Sequence, residues 1–320
     1  MDLFHYHIAS GNFGDDLNLW LWDEILPGWR EAMPGHLLVG VGTLINDTLP
    51  RGVPKVVLGS GVGYGNLPDA ALHAECRFVA VRGPRSARAL GLPPEVGIID
   101  PAVLVADLPA FQNIPKSPRP IFVPHHASAH RMDWARLCNK AGVDYVSPEG
   151  GAKEVIAKIA AAPLVIAESM HAVILADAFG VPWVGVSISH LFNGAKWLDW
   201  ADSVGVVPQI QPMYPFIDGL RSRLPVSPKA LLSGRRRSRA AAAGSLALAG
   251  GSGARAHEGP LPLHLKIRIA MERPQTVSRL RALSQQTGQL SDRVRLNAAK
   301  ARYRSVLAEA FGAAALSRAV

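Results

Sequence analysis

Two short stretches carry the residue types of acid–base chemistry on an anionic or hydroxylated substrate. Near the start lies Gly11-Asn12-Phe13-Gly14-Asp15-Asp16, and far downstream Glu168-Ser169-Met170-His171-Ala172. Each falls where a strand-like run gives way to a helical pattern. Such junctions aim backbone N–H groups and short polar side chains into the crevice at the carboxyl ends of parallel strands. Gly11 and Gly14 permit a sharp bend and close approach to a ligand, with Asn12 in the same turn. Either Asp15 or Asp16 can cap the helix that follows. Capping accounts for one carboxylate; the other is left to contact a sugar hydroxyl or act as a base on it, since opposite a phosphate it would be repulsive. His171 opens its helix with Ser169 as cap. The helix dipole keeps such a histidine neutral unless a bound anion raises its pKa, which makes it a tunable acid or base. The plainer alternative is a histidine filling space between sheet and helix.

Cations for an anionic substrate are also present. Arg82, in Val81-Arg82-Gly83-Pro84, ends a buried-type strand beside the free N–H groups of a helix that starts at Pro84. Its fork suits a carboxylate or a phosphate, whereas Arg85 and Arg88 fall on the solvated helix face. Lys196 can hold an anionic donor, and Trp197 or Trp200 beside it can stack on a sugar, although such tryptophans are more commonly core. His125 and His126 follow the strand Ile121-Phe122-Val123, and one of them should face the cleft. No His, Cys or carboxylate spacing makes a metal signature. The loop Gly59-Ser60-Gly61-Val62-Gly63-Tyr64-Gly65 lacks the spacing of a dinucleotide fingerprint, so its glycines are expected to serve close packing or close approach to the cleft. Cys76 and Cys138 are too few for a disulfide framework and read as packing residues.

The elements that must position these residues alternate. Strands are expected at 3–8, 37–41, 56–58, 78–81 and 97–99, with helices at 15–25, 67–75 and 84–90. After a proline-rich stretch, 107–120, that denies regular structure, strands at 121–123, 145–146, 164–167 and 183–186 alternate with helices at 129–140, 152–161, 171–179 and 195–203. Short continuous apolar strands separated by helices predict parallel sheets covered on both faces. The fold class is therefore α/β, two tandem Rossmann-like doubly wound domains, 1–108 and 121–224, joined by a linker at 109–120. A low-complexity Ala/Gly/Ser/Arg linker at 225–260 follows, containing Arg235-Arg236-Arg237. The remainder, 261–320, is a basic tail whose apolar residues alternate like a strand at 261–269 and fit an amphipathic helix beyond.

Charge is divided in the same way. Residues 1–220 hold 15 Lys and Arg against 21 Asp and Glu, a net of −6, whereas 221–320 hold 19 against 4, a net of +15. A basic segment on an acidic body suggests an anionic neighbour, membrane headgroups or nucleic acid; the alternative is a solvated tail. The N-terminus has neither a basic n-region nor an apolar h-region, and Asp177 and Pro182 interrupt the longest apolar stretch. A cytosolic chain without a transmembrane helix is expected.

Taken together, Gly11-Asn12-Phe13-Gly14-Asp15-Asp16-Leu17-Asn18, Gly59-Ser60-Gly61-Val62-Gly63, Val81-Arg82-Gly83-Pro84, Asp100-Pro101-Ala102, Pro124-His125-His126, Ser169-Met170-His171-Ala172 with Gly180-Val181-Pro182, and Lys196-Trp197-Leu198-Asp199-Trp200 resemble the polysaccharide pyruvyl transferase family. The likeness is greatest to the bacterial exopolysaccharide ketal-pyruvate transferases and covers roughly residues 3–206. It implies a GT-B-like pair of domains and transfer of pyruvate from phosphoenolpyruvate to a sugar as a ketal. It makes His171 the catalytic histidine and Arg82 a donor-binding arginine. Many members carry an arginine two residues before that histidine; this chain has Ser169, and Lys196 or Arg85 is expected to supply the missing charge. The expected site is then His171 with Asp15 and Asp16 as catalytic groups, and Arg82, Lys196, Ser169, Gly14, Asn12 and His125 as binding groups. No metal or organic cofactor is expected. The partners are phosphoenolpyruvate, a free or lipid-linked oligosaccharide, and an anionic membrane met by the tail at the inner face of the cytoplasmic membrane; no nucleic acid is expected. A GT-B nucleotide-sugar glycosyltransferase is the competing enzyme reading, and a non-catalytic basic adaptor is the competitor from another class.

Overall fold

A computed structural model describes residues 1–188, 192–213 and 263–312. Two parallel sheets organise these residues. The first comprises β1 (Asp2–Phe4), β2 (Leu37–Val39), β3 (Lys55–Leu58) and β4 (Cys76–Ala80), in the order β1-β2-β3-β4. The second comprises β5 (Ile121–Val123), β6 (Asp144–Tyr145), β7 (Val165–Ala167), β8 (Trp183–Ser187) and β9 (Ile210–Pro212), in the order β6-β5-β7-β8-β9. All their pairings are parallel. The cause lies in the strand sequences: every residue of β3, β5 and β7 is buried, which requires cover on both faces. In the second sheet the chain leaves β5 to one side for β6 and returns to its other side for β7. That reversal opens a crevice at the carboxyl ends of β5 and β7, where His125 and His171 follow their strands.

The helices before the second sheet are α1 (Leu21–Ile25), α2 (Trp29–Ala32), α3 (Ala70–Ala74) and α4 (Pro84–Ala89). Those around it are α5 (His126–Ala129), α6 (Trp134–Ala141), α7 (Ala152–Ala161), α8 (Met170–Ala178) and α9 (Gly194–Val204), followed by α10 (Leu263–Ser284) and α11 (Arg293–Phe311). The helix expected at 15–25 is divided into a 3-10 turn, Asp16–Leu19, and α1. The physical reason is Asn18, whose amide donates to Asp15 O and Val41 O while its oxygen accepts from the Val41 and Trp22 N–H groups. This side chain ties the turn to the end of β2 and competes with continuous helix. The proline-rich stretch contains some regular structure, the 3-10 helix Pro109–Phe111, and a second 3-10 helix, Pro101–Asp107, leads into it; each has proline in its first turn, where a missing N–H costs nothing. Cys76 and Cys138 are free thiols.

One apolar cluster draws on both sheets, from Leu38 and Leu58 through Val123 and Ala167 to Tyr303 and Leu307. Both sheets lie in one compact unit, Met1–Met213 with Gln275–Val320. Residues 275–312 of the expected basic tail belong to that unit and are largely helical, and the strand-like alternation expected at 261–269 gives way to helix from Leu263. Leu296, Tyr303, Val306 and Leu307 of α11 are buried, and the Tyr303 hydroxyl donates to Leu58 O of β3 at 2.7 Å. Several basic side chains of this stretch are used internally. Arg293 pairs with Asp177 at 2.6 Å, Lys300 and Arg304 share Asp107, and Arg281 donates to Lys140 O. The linker 225–260 and its arginine run lie outside the described residues.

Candidate active site

The cleft is assembled from the carboxyl ends of the two sheets. α8 follows β7, and Ser169 caps it by accepting from the Ala172 N–H at 3.4 Å. His171 sits in the first turn of α8, 9% exposed. Burial first, then the positive charges of Lys196 and Arg82 and the neighbouring His125, push its pKa down to about 3. Gly14 packs against this ring: a Cβ there would lie 2.1 Å from His171 Nδ1. The glycine is therefore required by the histidine rather than by the turn alone.

The adjacent carboxylates separate into two environments. Asp16 accepts from the Asn12 backbone N–H at 3.0 Å, closing the turn on itself. Asp15 occupies the N-cap position without making a side-chain cap bond, and instead accepts from the Asn12 side-chain amide. Neither carboxylate caps a helix in the expected way. Desolvation pushes the Asp15 carboxyl up to about 7, against the pull of Lys196 and with repulsion from Asp16 and Asp100 added. Asp15 is thus the carboxyl of the pair poised near neutrality.

Lys196, at 9% exposure, donates to the Tyr64 hydroxyl at 2.9 Å and lies 5.1 Å from that ring's centre. It acts electrostatically on Asp15, His125 and His171 alike. With Tyr64, His125, Glu168, Phe192, Asn193 and Trp197 it lines a small pocket. His125 accepts at Nδ1 from the Ala127 N–H at 3.3 Å, and burial, then His126 and Lys196, push its pKa down to about 3. Trp197 and Trp200 are buried to 1% and 0% exposure, so packing prevails over sugar stacking at both. Glu168 accepts from the His125 and Ile188 backbone N–H groups and pins the loops at the sheet's carboxyl end.

Arg82 is placed differently from its expected role. It is fully buried, its Nε donating to Asp199 at 3.0 Å, Nη1 to the Thr43 hydroxyl at 2.7 Å and Nη2 to Val62 O at 2.8 Å. Asp199 also accepts from the Ser86 N–H at 2.9 Å and the Ser86 hydroxyl at 2.6 Å. The anion at the amino end of α4 is therefore the chain's own carboxylate on α9, and the open fork expected for a substrate is engaged. One turn along, Arg85 pairs with Asp202 at 2.7 Å, which occupies the alternative cation too. A Cβ at Gly61 would meet Arg82 Cζ at 2.4 Å, so that glycine makes room for the buried guanidinium.

A further carboxylate, carried by the Asp100-Pro101-Ala102 motif, reaches the site. Asp100 is fully buried, accepts at Oδ1 from the Ala102 N–H at 3.0 Å, and presents Oδ2 to His171 Nε2 at 3.8 Å. Burial, with repulsion from Asp199 added, pushes its pKa up to about 6. The Asp-Pro-Ala motif was visible in the sequence, but its approach to His171 depends on the packing of the Pro101–Asp107 helix against α8.

The geometry gathers His171, Asp15, Lys196, His125 and Gly14 at one cleft, with Asn12, Asp16 and Ser169 bracing it and Arg82 buried in its wall. Succinoglycan biosynthesis protein ExoV of Rhizobium meliloti (strain 1021) is 53% identical over 207 residues, which is 64% of this chain and 66% of that relative. The chain thus matches just under two thirds of the relative's length. The polysaccharide pyruvyl transferase family model matches residues 31–190, half of the chain, a span that includes Arg82, Asp100, His125 and His171. The chain belongs to the polysaccharide pyruvyl transferase family.

Proposed function

We propose that this protein transfers pyruvate from phosphoenolpyruvate to a sugar of an exopolysaccharide repeat unit, forming a ketal across two hydroxyls, on a GT-B-like pair of Rossmann-like units. The observation that carries the reading is the convergence of one cation, Lys196, with a carboxyl poised near pH 7, Asp15, and a buried histidine, His171, at one cleft. Lys196, His125 and the amides at the start of α8 receive the donor's carboxylate and phosphate. A proton from His171 adds to the methylene carbon and makes it a methyl group. The adjacent carbon becomes cationic, and one sugar hydroxyl attacks it while Asp15 takes the hydroxyl proton. A second hydroxyl then displaces phosphate, with cleavage of the carbon–oxygen bond. Of the two hydroxyl protons, one balances the new methyl group and the other leaves on phosphate.

Burial and the nearby cations leave His171 a weak base. A bound donor brings negative charge beside the imidazole, which raises its pKa and loads it with the proton the first step consumes. The enol phosphate is already activated, so the scheme needs neither a metal nor an organic cofactor. Asp16, Asn12, Gly14 and Ser169 hold the reacting groups in place, and Arg82 fixes the cleft wall. A nucleotide-sugar transferase would need an acid to grip a ribose, and Glu168 spends its oxygens on backbone amides.

No helix of the described residues is long and apolar enough to cross a membrane. Attachment to the cytoplasmic membrane face, where a lipid-linked acceptor would lie, falls to basic residues outside the described part. The test is incubation with labelled phosphoenolpyruvate and a panel of free and lipid-linked oligosaccharides. Phosphate release matched by acid-labile pyruvate on the sugar is expected. Phosphate release without sugar-bound pyruvate, or turnover of nucleotide sugars instead, overturns the reading.

A further inference from the structure

The His171 ring nitrogens have unequal surroundings. Nε2 is buried without a hydrogen-bond partner, as is Asp100 Oδ2, and these two atoms face each other at 3.8 Å. The separation is about an ångström longer than a charge-assisted hydrogen bond, a gap that a small rotation of either side chain closes. Two buried polar atoms without partners are costly singly and satisfied together. Nδ1 lies at the Gly14 edge of the ring, on the turn that carries Asp15.

We infer that Asp100 is a positioning residue that fixes the proton of neutral His171 on Nε2, leaving Nδ1 as the nitrogen that exchanges protons with substrate. The inference rests on the proposed acid–base role of His171. Its physical core is the Ala102 N–H, which holds Asp100 Oδ1 at 3.0 Å and so turns Oδ2 toward the imidazole. An ionised Oδ2 only accepts, so it selects the Nε2–H tautomer. The titratable and charged groups facing the pair are Arg82 at the end of the first sheet, Lys196 and Asp199 on α9, His125 before α5, Asp15 in the first turn and Tyr303 on α11. None of them is a hydrogen-bond partner of Nε2.

The same anchor makes Asp100→Asn a reversal rather than a simple loss. The Ala102 N–H would hold the amide oxygen and aim the amide NH₂ at Nε2, which must then accept and push the proton to Nδ1. The measurement is ¹⁵N chemical shifts of the His171 ring at pH 8, assigned by their loss in His171→Gln. The full-length protein is expected to show Nε2–H, and Asp100→Asn to show Nδ1–H with kcat reduced by about 10²–10⁴-fold and donor KM little changed. Nδ1–H in the unaltered protein overturns the inference without any variant having to fold. So does Asp100→Asn that retains both Nε2–H and full kcat. Full turnover in a folded His171→Ala would instead remove the acid–base reading while leaving the tautomer result intact, so the two failures are distinguishable.

Discussion

Arg82 and Asp199, 117 residues apart in the chain, meet at 3.0 Å with neither side chain more than 3% exposed. The pair joins the end of the first sheet to α9, and Ser86 at the start of α4 completes the shell around the carboxylate. Removing one partner leaves a buried charge without its counter-charge, which costs about 3–5 kcal/mol. Asp199→Ala is therefore expected to lose stability on that scale in chemical denaturation. Arg82→Lys should also be destabilised, because one ammonium cannot reach Asp199, Thr43 and Val62 together. If Arg82→Lys keeps full stability and raises only the donor KM, Arg82 contacts substrate and the wall assignment falls.

Gly14→Ala is expected to fold and to lose activity. Its Cβ would occupy space now held by His171 Nδ1, and the ring must move by about an ångström, a displacement that can cost about 10²-fold in rate. Circular dichroism should match the parent while kcat falls. Unchanged kcat would show that the ring position is not critical.

Asp15 supplies a pH signature. Its folded-state pKa, about 7, lies above the ordinary carboxylate value of 3.8, so the folded chain binds more protons than the unfolded one between those limits. Stability tied to this group is present below about pH 4 and is lost as pH rises through 7. Asp15→Asn should abolish that dependence and raise Tm at pH 8 by about 2–4 °C, the shift that about 1 kcal/mol produces in a domain of this size, with little change at pH 4. Activity should fall because the base is gone. A variant no more stable at pH 8 than its parent would count against the raised pKa.

His171 runs the other way. With its folded pKa near 3 against an ordinary 6.5, the histidine contributes stability above about pH 6.5 that is lost as pH falls toward 3. A bound dianion should reverse part of this shift, moving the ring's titration midpoint upward by about 1–3 pH units. NMR titration of the imidazole with and without phosphate tests it directly. A midpoint indifferent to phosphate would leave His171 unable to act as an acid at neutral pH.

Truncation after Leu224 is expected to give an insoluble or unfolded product, because it removes Tyr303, Leu296 and Leu307 from the core. Expression and size-exclusion chromatography decide it. A soluble, active truncated chain would show that α11 is dispensable.

The placement of His171 and His125 was legible because β5 and β7 are unbroken apolar runs, and a switch of helical pattern straight after them fixes the crevice. Arg82 was legible as an anion site but not as an occupied one. A strand-end arginine beside a helix N-terminus announces an anion, and nothing local says that the anion arrives on Asp199 from α9. Asp100 shows the same limit: its motif was visible, yet its meeting with His171 depends on how the Pro101–Asp107 helix packs on α8. The fate of the basic C-terminal residues was illegible for a further reason. Interleaved Leu, Tyr and Arg fit a membrane-surface helix as well as one that buries its apolar face and pairs its cations with Asp107 and Asp177.

The hydrogen bond from Tyr303 to Leu58 O spans 245 residues, and that span has a temporal meaning during synthesis. At about 5–20 residues per second, β3 leaves the ribosome many seconds before α11 exists to cover it. The nascent first sheet must wait with its apolar face unsealed, a period in which it is a substrate for chaperones and an invitation to edge pairing between neighbouring chains. Yield in cells should accordingly respond to holdase supply and to slower initiation more than to any change in the finished protein's stability.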